Sequence, residues 1–201
     1  MRTRQLALTS AAIALLASLG VWVSPALAAP SCSSGSTLAI SKSARVFQVR
    51  DGSIRRLYGC STSTRKRSYL GRVGGEGVDT SVIAVTGPRV AYVRNSCGEG
   101  GCQQSVLIRD LKKRKNLLAA PATPGDVEHK VTDLLLGRFG FVAWIAEENP
   151  DAPTARYVFA RKLGQPVDLL ASGLNIVRGS LALGESNRLY WLAPAAVLVI
   201  P

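Results

Sequence analysis

Four short hydrophobic tetrads recur along this chain: "VFQV" from Val46, "VAYV" from Val90, "VAWI" from Val142 and "LYWL" from Leu189. Their spacing is regular, on the order of 40–50 residues, the period of an array of small supersecondary units. Each tetrad follows an apolar stretch and a turn: "TLAISKSA", "SVIAVTGP", "VTDLLLGRFG" and "SLALGES". Two further runs follow each of the first three tetrads, "SIRRLYGC", "QSVLIRDL" and "ARYVFARK", then "RSYLG", "NLLAA" and "PVDLLAS". Val, Ile, Tyr and Phe dominate these runs and Gly, Pro, Asp or Ser bound them, which predicts strands joined by hairpins. Helical periodicity is absent after the first 28 residues. The pattern therefore predicts an all-β fold of four-stranded antiparallel units, about three and a half of them, over 37–73, 81–120, 131–172 and 180–201. The last unit stops one strand beyond its tetrad, within "AAVLVIP". A two-sheet β-sandwich is the alternative.

A four-stranded antiparallel unit with this period is the sequence sign of a propeller blade. On these tetrads and the strands around them, the chain resembles secreted β-propeller-like proteins with TolB-like or WD-repeat-like blades, across about Thr37 to Leu192. The Gly-His and Trp-Asp signatures of true WD repeats are missing. The resemblance implies a partial or small β-propeller whose sheets bury their faces against one another, because one small sheet cannot bury either face alone. Tyr92, Trp144 and Trp191 hold the third tetrad position, where the first repeat has Gln48. Packing between sheets is the expected role of these aromatics, with a sugar or peptide platform as the other.

The first 28 residues stand apart. Arg2 and Arg4 precede an uncharged apolar run from Leu6 to Val23, and small residues at Ala26 and Ala28 follow. This is the layout of a secretory signal peptide cut near Ala28, so residues 29–201 form the expected single domain of a secreted or extracytoplasmic protein. An uncleaved anchor helix and lipidation at Cys32 are the competing readings. Ser10, Ser18, Gly20 and Pro25 weaken the first, and Ala29-Pro30-Ser31 lacks the usual Leu for the second. The C-terminal apolar stretch, Leu192 to Pro201, is half the length of a span, so no transmembrane segment is expected after processing.

Export to an oxidising compartment changes how the four cysteines read. Cys97 and Cys102 flank "GEGG", whose glycines let the chain fold sharply enough to join them, leaving Cys32 to pair with Cys60. Zinc would need Cys-x2-Cys spacing or His partners, so neither a metal nor a cofactor is expected.

Charge is concentrated. The chain carries 25 Lys+Arg against 13 Asp+Glu, a formal net charge of +12. Arg65-Lys66-Arg67, Lys112-Lys113-Arg114-Lys115 and Arg161-Lys162 fall between the third and fourth strands of successive repeats. Stacked repeats would bring these runs to one rim, which would attract anionic partners in a salt-dependent way. Solvated turns maintaining solubility are the plain alternative. An anionic envelope polymer, a lipid head group or an acidic protein suits an exported chain, and no nucleic acid is expected.

Catalytic constellations are lacking. His129, in "GDVEHKVTD", is the one candidate base and reads as an exposed loop residue. No G-x-S-x-G elbow occurs, and "GRVGGEG" and "CGEGGC" lack the GK[ST] ending of a phosphate loop. Glu147, Glu148 and Asp151 read as a solvated acidic loop whose spacing fits no calcium loop. A non-catalytic binding or scaffolding module acting through its basic loops is the leading expectation. An extracellular hydrolase or lyase, and a divergent incomplete propeller without activity, are the alternatives.

Overall fold

The computed structural model describes residues 31–99, 101–123, 129–148, 155–185, 188–193 and 196–200, the last of these as backbone. The signal segment expected over residues 1–28 lies outside the described residues. Among the described residues, fifteen strands form four antiparallel sheets, each a meander in which sequence neighbours pair. Sheet 1 comprises β1 (Ser36–Ile40), β2 (Ala44–Asp51), β3 (Ile54–Ser61) and β4 (Arg67–Arg72). Sheet 2 comprises β5 (Val78–Thr86), β6 (Arg89–Gly98), β7 (Gly101–Asp110) and β8 (Lys115–Pro121). Sheet 3 comprises β9 (His129–Leu136), β10 (Val142–Glu148), β11 (Arg156–Arg161) and β12 (Asp168–Ser172). Sheet 4 has three strands, β13 (Ala182–Leu183), β14 (Leu189–Ala193) and β15 (Ala196–Ile200). Four sheets, not two, replace the sandwich alternative. The only helical element among the described residues is a 3-10 turn over Arg138–Gly140.

Each tetrad lies on the second strand of its sheet, and in sheets 2 and 3, covered on both faces, the alternation of strand side chains explains why it is apolar throughout. On β6, Val90 and Tyr92 enter the core shared with sheet 1, while Ala91 and Val93 enter the core shared with sheet 3. On β10, Val142, Trp144 and Ala146 face sheet 2, while Ala143 and Ile145 face sheet 4. Trp191 and Leu189 close the third core against sheet 3. Three cores thus run between consecutive sheets, and each fully buried large side chain contributes about 1.5–3 kcal/mol. Tyr92, Trp144 and Trp191 are all buried, which makes them packing residues and leaves no aromatic platform among them. The Trp144 indole N–H donates to the Ala122 carbonyl at 2.6 Å, whereas that of Trp191 has no partner among the described residues.

The first repeat fits this scheme only after a slip of one residue. Val46, at the first tetrad position, faces the following sheet instead of a preceding one. A one-residue shift exchanges the two faces of a strand, so Phe47, not Gln48, is the counterpart of Tyr92 and Trp144. Phe47 is fully buried and stacks on Tyr58 at 5.8 Å, as Trp144 stacks on Phe159 at 5.5 Å. Among the described residues no sheet precedes sheet 1. Its outward side is instead crossed by residues 31–35, which Arg45 holds by donating to the carbonyls of Cys32, Ser34 and Gly35. The Cys32–Cys60 disulfide fastens the same segment, with Cα atoms 5.7 Å apart.

Outer strands are exposed edges, and three of the four carry devices that discourage pairing with other chains. Strands β4, β8 and β12 each bear charge (Arg67 and Arg72, Lys115, Asp168) and each pairs through a register shift at a bulge. The Cys97–Cys102 disulfide closes the β6–β7 hairpin, where the two residues stand directly opposite.

Candidate functional site

Meander topology sorts the connections into two sets. Turns between first and second strands share one end of each sheet with turns between third and fourth strands. Backbone bonds confirm the grouping: Thr62 N–H donates to the Ser43 carbonyl, and Leu111 N–H to the Pro88 carbonyl. Neighbouring sheets are tied together at this end as well. The Ser41 hydroxyl donates to Gly87 O at 2.7 Å, and the Thr86 hydroxyl to Leu136 O at 2.6 Å.

All three basic runs lie at this end, in the third-to-fourth connections of sheets 1, 2 and 3. Arg65, Lys66, Lys112, Lys113, Arg114, Lys115 and Lys162 are exposed. Arg67 and Arg161 are only half-buried and belong to strand ends. The Arg67 guanidinium lies 5.9 Å from the Tyr58 ring centre on the outer side of sheet 1, and the Arg161 Nε is buried. The rim is therefore built of seven exposed side chains flanked by two that pack.

Backbone conformation adds what the charge pattern does not show. Among the described residues only Arg65, Arg114 and Phe139 take positive φ without being glycine, at 51°, 57° and 59°. All three occupy turns of this same end. Left-handed conformation costs an L-residue about 1–2 kcal/mol, and Gly or Asn normally fills such turn positions. Two of the three basic runs thus place an arginine where local stability alone would select glycine. The second run is otherwise well anchored. Asp110, nearly buried, accepts from the Lys113 N–H at 2.8 Å, and the Arg109 guanidinium donates to the Arg114 carbonyl and the Asn116 side chain. Leu111 is fully buried in the seam with sheet 1, where Gly59 makes room: a Cβ on Gly59 would come within 2.5 Å of Leu111.

The same end contains a cavity of about 490 Å³ where the first turns of sheets 2, 3 and 4 meet. Thr86, Leu136, Gly137, Arg138, Leu183, Gly184 and Glu185 line it. Neither Arg138 nor Glu185 is singled out by sequence pattern, although an Arg-Phe pair between two glycines, "GRFG", is an unusual turn and was the available signal.

Acidic residues and histidine cluster at the opposite end. Glu147, expected in a solvated loop, is fully buried at the end of β10. It accepts from Arg156 at 2.8 Å and from Arg178 through both oxygens, binding sheet 3 to the segment that enters sheet 4. Burial pushes the Glu147 carboxyl up, but the Arg178 and Arg156 guanidinium groups outweigh it and hold the group below its usual range. Glu148 accepts from the Tyr157 hydroxyl at 3.0 Å, an acceptor that raises the tyrosine above its usual value. His129, expected as an exposed loop residue, is nearly buried on β9 with its ring edge-on to Tyr157 at 5.8 Å. Asp151 lies outside the described residues. Among the described residues no three His, Cys, Asp or Glu side chains converge as metal ligands. None of their helices is long and apolar enough to cross a membrane.

No protein-family model and no curated protein matches the sequence. A solved structure from work titled "Structural and Mechanistic Analysis of Two Prolyl Endopeptidases" aligns with 86% of this chain at 15% identity and a TM-score of 0.49. The chain spans 28% of that protein's length.

Proposed function

We propose that this chain is a non-catalytic binding module of an extracytoplasmic compartment, which holds an anionic envelope polymer against its basic turns. The observation that carries the reading is the pair of arginines, Arg65 and Arg114, kept in left-handed turns at one end of adjacent sheets. Strain of this kind persists where a side chain is needed in place, and it collects at binding sites. Charge fits the ligand class: an exposed row of Lys and Arg gains from releasing counterions of a polyanion and draws it in by long-range attraction. Two disulfides suit an oxidising location. Stacked blade-like sheets suit a propeller-like scaffold of the TolB-like kind.

The catalytic alternative has less to stand on. Glu147, the most buried carboxylate, is fully engaged by two arginines, and the cavity at the basic end is lined by one carboxylate, Glu185.

The test is retention of the chain on immobilised polygalacturonate across a salt gradient. Replacing Lys112, Lys113, Arg114 and Lys115 together by Gln is expected to move elution to markedly lower salt, while a Gln substitution of Arg72, on a strand outside the turns, changes little. Equal elution of the quadruple variant and the parent would overturn the reading.

A further inference from the structure

The cavity between the first turns of sheets 2, 3 and 4 is chemically different from the basic rim around it. Its lining is polar and apolar in about equal parts, and the apolar part is made by Leu136 and Gly137, both buried, and the half-buried Leu183. A Cβ on Gly137 would meet Leu183 at 3.0 Å and Phe141 at 3.1 Å, so a larger residue there would press on both side chains. Its mouth carries opposite charges, the exposed Arg138 and Glu185. None of the ion pairs among the described residues involves either of them. Beside Arg138 stands Phe139, 83% exposed and held at φ 59°. An aromatic ring in water on a left-handed backbone is unfavourable twice over, through exposed apolar surface and through backbone strain.

We infer that this cavity is a binding site for a small zwitterion with an apolar side chain, a free α-amino acid of the leucine type. A volume of about 490 Å³ is within the range of small-molecule sites. The apolar side chain enters between Leu136 and Leu183, where it leaves water. The α-carboxylate takes the Arg138 guanidinium, whose fork of donors matches it. The α-ammonium takes Glu185, and the Phe139 ring covers the mouth. A ligand bearing both signs is the one class that satisfies both charges; a simple anion leaves Glu185 opposed to it, and a simple cation does the same to Arg138. The inference goes beyond polymer binding and shares none of the residues proposed for it.

Three probes separate the contacts in calorimetric titrations of the full chain: L-leucine, N-acetyl-L-leucine, which lacks the ammonium, and L-leucinamide, which lacks the carboxylate. L-Leucine is expected to bind, and each derivative to bind about tenfold more weakly, the scale of one charge-assisted hydrogen bond. The Glu185→Gln variant should lose the preference for leucine over N-acetyl-leucine, and Arg138→Gln the preference over leucinamide. Phe139→Gly should weaken leucine binding several-fold without lowering the melting temperature, because glycine suits the turn. Failure of L-leucine to bind, equal binding of all three probes, or preferences unchanged in both charge variants would overturn the inference. Retention on polygalacturonate is expected to stay unaltered in these variants, so the two proposals fail separately.

Discussion

The two ends of the stacked sheets hold their charge differently. The end with second-to-third connections contains the ion pairs of the described residues, Asp51 with Arg56 at 3.1 Å and Glu147 with Arg156 and Arg178, and Glu148 accepts from the Tyr157 hydroxyl, although Arg50, Arg55, Arg72 and Arg94 are exposed there too. The Cys97–Cys102 bond closes a hairpin there too. At the end with first-to-second and third-to-fourth connections, lysines and arginines stand exposed, two arginines and a phenylalanine sit in left-handed turns, and a cavity opens. One end lowers the energy of the fold and the other spends some of it. Groups left to solvent under strain mark where a protein meets something else.

Substituting Glu147→Ala attacks the ion-paired end and is expected to have the largest effect. It strands two arginines that had a buried partner, which costs about 3 kcal/mol, or a fall in melting temperature of roughly 5–12 °C. The folded-state value of Glu147 lies below its ordinary one, so its contribution is present above the ordinary carboxylate range, near 4, and disappears as pH falls through the folded value. Thermal melts from pH 7 to pH 2 should therefore show a shallower acid loss for the variant than for the parent. Anion retention should be untouched; a large loss of retention would dissolve the contrast between the ends.

Removing Cys97 and Cys102 together, as Ala, should cost about 2 kcal/mol, the chain-entropy value for so short a loop. Chemical denaturation measures it, again with retention unchanged. The smallest effect sharpens the comparison most. Arg114→Gly removes a charge and relieves a left-handed residue, so stability should rise by about 0.5–1 kcal/mol while retention on the polyanion falls. A variant destabilised by that change would show that the arginine is there for the fold.

Much of the scaffold was legible in the sequence because it depends on local pattern. Strand runs, turns and the tetrads at the second strand of each sheet follow from alternation, and both disulfides from spacing and order. The slip at Phe47 was hidden, since "VFQV" aligns by eye with the later tetrads and only the side each residue faces separates Phe47 from Gln48. Burial of Glu147 was also hidden. Its partners stand 9 and 31 residues away, and charged neighbours made the segment look like a solvated loop. His129 misled for the same reason, as its cover is Tyr157 on another strand. At the basic end, charge clusters were visible, but the left-handed φ values are set by the geometry of each turn and the cavity by the meeting of turns from three sheets.

Leu111 leads the turn that carries Lys112 to Lys115, and it is locked into the seam between sheets 1 and 2 against Gly59. Those four cations hence project from a rooted knuckle instead of a waving loop. A long polyanion draped over them immobilises little that was free, so capture forfeits less entropy than a loose basic tail would surrender for the same charge.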